Sequence, residues 1–151
     1  MGVCCHVIRQ LIFSLVVSLP LAAGADDWPQ WRGLNRDGVW HESGVVEKFP
    51  DGGLPVLWRR PAGAGWSSPV IVKGRVYVID AELTRPKAHE RVVCLDEETG
   101  RLIWTQKWEA SYPDWCFTAG QENGTTGTPV VKEGPVFVVG QLGNVLSLNA
   151  E

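Results

Sequence analysis

The chain has 151 residues, 17 acidic against 14 basic, and a formal net charge of −3. Its charges are evenly sprinkled, which sets aside a basic surface for nucleic acid or anionic lipid. All eight tryptophans and most of the glycines and prolines lie beyond residue 25, a composition that suits a turn-rich β protein with aromatic packing.

Residues 1–25 read as a secretory signal peptide. Arg9 is the only formal charge before an apolar run from Leu11 to Leu21, and Ala22-Ala23-Gly24-Ala25 supplies an A-x-A cleavage site. That run is shorter than the roughly 20 apolar residues a membrane-spanning helix needs. Cleavage after Ala25 would leave a chain starting at Asp26, periplasmic or secreted, and would remove Cys4 and Cys5. Cys94 and Cys116 remain. In an exported protein they could pair, or Cys94, which sits in an apolar strand pattern, could be a buried free thiol.

Residues 26–54 form an irregular leader without a period of 2 or 3.6. Trp28, Trp31 and Trp40 mark it as a strap over a β core, with an aromatic binding patch as the functional alternative. From residue 55 the pattern becomes short strands with turns between them. Val56–Arg60 is a candidate opening strand, followed by Ser68–Val72, a turn at Lys73-Gly74, and Arg75–Asp80. A polar loop, Ala81–Glu90, precedes Arg91–Asp96. The turn Glu97–Gly100 leads into Leu102–Lys107, and a long insertion covers Trp108–Thr126. The pattern restarts at Thr128–Val131, turns at Glu133-Gly134, and continues through Val136–Val139 and Asn144–Asn149.

These strands repeat. Ser68-Pro69-Val70 aligns with Thr128-Pro129-Val130 sixty residues on, and Gly74, Val76 and Val78 align with Gly134, Val136 and Val138. Asp96 aligns with Asn149 at 53, because the second copy lacks seven residues of the connection Ala81–Glu90. Val56-Leu57-Trp58 aligns with Leu102-Ile103-Trp104 at 46. The chain thus holds an opening strand, one complete four-stranded unit and most of a second, and it stops inside the repeated phrase, as the opening piece of a longer array would. Four short antiparallel strands per unit is the pattern of a propeller blade, which needs neighbours to cover its faces. The expected fold is all-β: a partial β-propeller over residues 55–151, after a signal peptide.

Cys94-Leu95-Asp96-Glu97-Glu98-Thr99-Gly100-Arg101-Leu102-Ile103-Trp104 resembles the tryptophan-docking motif of pyrroloquinoline-quinone-like (PQQ-like) β-propeller repeats, Ala-x-Asp-x-x-Thr-Gly-x-x-x-Trp. Asp96, Thr99, Gly100 and Trp104 fall in register, and Cys94 replaces the small first residue. The opening Trp28-Pro29-Gln30-Trp31-Arg32-Gly33 is similar to the leader of secreted bacterial members. The resemblance covers residues 26–151. It implies that Trp104, and Trp58 before it, lock blades together around the Asp96–Gly100 turn. Physically, Gly100 allows a positive φ, Asp96 and Thr99 can bond turn backbone, and Trp104 offers a large apolar face.

The resemblance implies an exported non-catalytic module for binding or scaffolding, with other blades or proteins as partners and no cofactor. It is similar in this to the propeller lipoprotein of outer-membrane protein assembly, though no lipobox cysteine follows the apolar run. The alternative is the N-terminal part of a quinoprotein dehydrogenase, with pyrroloquinoline quinone and calcium; the adjacent-cysteine pair of such enzymes is absent beyond the signal. No nucleophile–base pair, phosphate-cradling loop or metal-ligand spacing stands out. His41 and His89 read as dispersed surface histidines. Asp80, Glu82 and His89 flank one loop, and Asn123-Gly124-Thr125 is a formal glycosylation sequon. The insertion, with Tyr112, Trp115, Phe117 and Gln121, is the candidate partner-facing loop, since loops carry function on rigid scaffolds.

Overall fold

A computed structural model describes residues 26–118, 120 and 123–151. The signal peptide expected over 1–25 lies outside them. The described chain is all-β, apart from one 3₁₀ turn, η1 (Asp114–Phe117). Strands β1 (Val70–Val72), β2 (Arg75–Thr84), β3 (Lys87–Asp96) and β4 (Leu102–Ala110) form a four-stranded antiparallel sheet in chain order. Strands β5 (Val130–Val131), β6 (Val136–Val139) and β7 (Val145–Leu148) form a three-stranded one. These are successive blades of a partial propeller.

Period-2 alternation decides which residues each blade buries. On the first sheet Tyr77 pairs with Cys94 and Ile79 with Val92, and Trp104 faces Cys94 from β4. That face packs against Val131, Val136 and Val138 of the second sheet, forming the main core. The opposite face of the first sheet carries a smaller cluster of Val76, Val93 and Leu95, with Trp58, Ile71 and Val78 against it. The β1–β2 turn uses Lys73 and Gly74, both at positive φ (50° and 75°), the conformation that tight two-residue hairpins favour.

Three features differ from the sequence reading. The supposed polar loop Ala81–Glu90 is a hairpin: β2 and β3 stay paired out to Thr84 and Lys87, so the turn is only Arg85-Pro86. The first hairpin is therefore ten residues a side against four in the second, which is where the seven-residue difference lies. β4 runs on to Ala110, three residues past the expected end. Val56–Arg60 is assigned no strand, because no described edge lies beside it to pair with.

The leader does strap the blades, and of its three tryptophans only Trp28 bonds a strand. Trp28 N–H donates to Ile71 O (2.7 Å) and Trp28 O accepts from Ile71 N–H (3.0 Å), while Pro29 O accepts from Val131 N–H (2.9 Å). Two consecutive residues thus bond to the first strand of both sheets. Trp31 and Trp40 stay 63% and 55% exposed.

Candidate functional site

Three groups of side chains do chemistry that the strands alone do not require. The first is the Asp96–Gly100 turn. Asp96 Oδ1 accepts from Thr99 N–H (2.9 Å) and from the Thr99 hydroxyl (2.5 Å), and Thr99 Oγ1 accepts from Arg101 N–H (3.3 Å). The Thr99 hydroxyl, then its backbone N–H, hold the Asp96 carboxyl below its usual range. Gly100, at φ 67°, closes the turn with its N–H on Asp96 O. The Trp58 indole lies directly on it: a Cβ at Gly100 would stand 2.5 Å from the Trp58 ring. Trp58 Nε1–H donates to Glu97 O at 2.7 Å.

Trp104 makes the counterpart contact on the second sheet. Its Nε1–H points to Ala150 O at 3.5 Å, and Ala150 lies 53 residues after Glu97. The same carbonyl accepts from Tyr77 Oη (3.2 Å) and from Arg75. Burial pushes the Tyr77 phenol up to about 12. So the structure brings Trp58, Asp96, Thr99 and Gly100 together, and places Trp104 at the equivalent spot one blade on.

The second group was not read from the sequence. Glu90 is fully buried between the sheets. Its carboxylate accepts from Trp108 Nε1–H, from the Tyr112 hydroxyl and from the backbone N–H of Gln141, each at 2.8 Å. Gln141 sits in the short turn between β6 and β7, so one side chain of the first blade grips the hairpin of the second. Gly140 leaves room for this, since a Cβ there would collide with Glu90 Oε2. Burial, and then the bond to Glu90, raise the Tyr112 phenol well above its usual value. The signal was present: Glu90 is in phase with Val92 and Cys94, hence on the apolar face.

The third group is a cross-strand charge ladder. Arg91 grips Asp80 with Nε (2.6 Å) and Nη2 (3.0 Å), and Asp80 Oδ2 also accepts from Gly63 N–H (2.6 Å). Glu82 bonds Arg91 and Lys107, and Lys107, then opposed by burial, lowers the Glu82 carboxyl. Asp80 and Glu82 therefore meet through Arg91, and His89 is the cross-strand partner of Glu82.

In the insertion, Tyr112 turns inward to Glu90, whereas Trp115 is 54% exposed. Phe117 lies under the Arg85 guanidinium, 5.6 Å from ring to cation. Gln121 lies outside the described residues. Cys94 and Cys116 are both free and buried, and burial raises both thiols. Within the sequon, Asn123 Oδ1 accepts from Trp66 Nε1–H (3.1 Å) and Thr125 is fully buried. A cavity of about 940 Å³ opens between the leader and the start of the second sheet, lined by Trp28, Trp40, Arg75, Tyr77 and Lys132.

Among the described residues there is no group of three or more His, Cys, Asp and Glu side chains that could hold a metal ion. No helix among them is long and apolar enough to cross a membrane. Comparison with curated proteins and with solved structures found no match. A family model described as outer membrane protein assembly factor BamB matches residues 50–111 and again 88–151. Two overlapping matches to one model agree with the two stacked sheets and their repeated tryptophan contacts: the chain belongs to this family of PQQ-like repeat proteins.

Proposed function

We infer that this chain is an exported, non-catalytic propeller module that binds or scaffolds protein partners. The observation that carries this reading is where the motif spends its polar groups. Asp96, Thr99 and Trp58 all bond within the Trp58–Gly100 contact, which leaves the motif a blade-locking device rather than a reaction centre. In this role Trp58 and Trp104 dock successive blades, and Gly100 provides the flat seat. The family's description as an outer membrane protein assembly factor supports a protein-binding role. The exposed Trp115 on the insertion is the contact point of choice, because tryptophan supplies much of the energy at protein interfaces.

Two measurements test this. The amino terminus of the protein recovered outside the cytoplasm should be Asp26; a chain that keeps Met1 in the cytosol removes the export claim. Purified protein given pyrroloquinoline quinone, calcium and an alcohol should reduce no dye. Quinone- and calcium-dependent turnover would overturn the non-catalytic reading in favour of a dehydrogenase.

A further inference from the structure

Residues 26–29 are bonded one after another. Asp26 N–H donates to Glu42 Oε1, and Asp27 Oδ1 accepts from Lys73 N–H (2.8 Å). Trp28 exchanges backbone bonds with Ile71, and Pro29 O accepts from Val131 N–H. The last three residues tie the strap to the sheets. Asp26 ties it to the leader itself, 16 residues on.

Glu42 is placed for more than an amide. It is half-buried. Asp26, Asp27 and Glu42 are three carboxylates that form no ion pair among the described residues. Of the hydrogen bonds made by residues 39–57, the one on Glu42 alone reaches beyond a neighbouring turn. The loop between the two bonded residues carries Leu34, Val39, Trp40 and His41, which line one side of the cavity of about 940 Å³. Asp26 and Glu42 therefore clip that wall at its two ends.

We propose that removal of the signal peptide completes this clip: the new amino terminus at Asp26 becomes the cation that Glu42 holds. The inference rests on export and on cleavage after Ala25. A signal-cleaving protease hydrolyses the Ala25–Asp26 bond. The hydroxyl of the water goes to the Ala25 carbonyl carbon and its hydrogen to the Asp26 nitrogen. A proton from solvent then makes that nitrogen an ammonium, because an α-amino group titrates at about 7.7–8.0. The nitrogen keeps its place. One of its hydrogens retains the bond to Glu42 Oε1, and the contact gains a full positive charge. The uncut chain has only an amide there, so the charge marks the processed protein and fixes one wall of its cavity.

The test exports the full chain and reads the amino terminus of the recovered protein. Asp26 is expected; another residue there overturns the inference together with the cleavage it rests on. With Asp26 first, trypsin reports on the clip through Arg32 and Arg36, both exposed in the clipped loop. Glu42→Gln keeps an oxygen for the N–H and loses the charge, so it should speed cleavage there by roughly two- to fivefold, the range of an ion pair near the surface. Glu42 lies outside every strand, so the circular dichroism should not change. One serine inserted between Ala25 and Asp26 keeps the A-x-A site and moves the ammonium about 3.8 Å along the chain. In that chain Glu42→Gln should make no further difference. Equal acceleration in both chains means that Glu42 serves the backbone N–H alone, which refutes the charge. Unchanged cleavage in both refutes the clip and leaves export standing. Acylation at pH 7 reads the amine directly: a nearby carboxylate favours its protonated, unreactive form, so the Asp26 amine should label faster in Glu42→Gln by a similar factor. Equal labelling rates overturn the pairing.

Discussion

Glu90 provides the sharpest quantitative test of how the two blades are held. Replacing it with leucine removes one carboxylate and orphans three donors: the Trp108 indole, the Tyr112 hydroxyl and the Gln141 backbone N–H. An unsatisfied buried donor costs about 1–3 kcal/mol. Trp108 and Tyr112 are only half-buried and Gln141 is exposed, so water restores part of this, and the low end applies to each. The expected loss is about 3 kcal/mol. Glu90→Gln keeps one oxygen. Turned toward Tyr112 and Gln141, that oxygen preserves two bonds and sets the amide NH₂ against the Trp108 N–H, for a loss of about 1–2 kcal/mol. The assay is urea unfolding followed by tryptophan fluorescence. With a slope of about 2 kcal/mol per M, the leucine variant should lose about 1.5 M from its midpoint. Gly140→Ala, which pushes a methyl into Glu90 Oε2, should destabilise the same contact from the other blade. A leucine variant as stable as the native chain, or a glutamine variant worse than leucine, would show that the carboxylate is not the clasp described.

Gly100→Ala places a methyl 2.5 Å from the Trp58 ring at a φ of 67°; the left-handed backbone alone costs about 1–2 kcal/mol, so a midpoint loss larger than that, with a red shift of tryptophan emission, should be seen. The chain has two tyrosines, and both phenols are raised, Tyr77 to about 12. A raised phenol stabilises the fold fully below its unfolded value near 10 and loses that stabilisation as pH rises toward 12. Tyrosinate absorbance should therefore stay low at about pH 10 in the folded protein and appear only on unfolding at higher pH; an ordinary titration near 10 refutes the buried setting of Tyr77 and the Tyr112–Glu90 bond. Cys94 and Cys116, buried with raised thiols, should resist thiol reagents until denaturant is added, whereas rapid native labelling would mean that the blades open.

The repeat was legible because it is written in strand phase and turn chemistry, both local. Val76, Val78 and Gly74 recur at a fixed offset, and the sheets follow that pattern. The long β2–β3 hairpin was missed because its outer half, Glu82 to Glu90, is charged. Polarity read as a loop, while in space those charges pair across strands as Asp80–Arg91 and Glu82–Arg91. Glu90 was overlooked for the opposite reason. Its alternation with Val92 and Cys94 pointed inward, but its partners, Trp108, Tyr112 and Gln141, come from three separate segments that only the stacked blades bring together. The tryptophans of the leader were overvalued because aromatic content says nothing of what lies opposite: Trp28 meets a strand edge, and Trp31 and Trp40 stay largely exposed.

The strap formed by Trp28 and Pro29 also sets an order of events during synthesis. Its two anchoring points, Ile71 and Val131, lie far downstream. A ribosome adding roughly 5–20 residues per second delivers the second anchor about 5–20 s after the strap itself has emerged. Throughout that interval the strap has at most its two bonds to Ile71 and lacks the one from Val131, and the first blade has its broad face bare. The strap is therefore made before either sheet and fixed only after both: its capture reports that β1 and β5 are present and aligned.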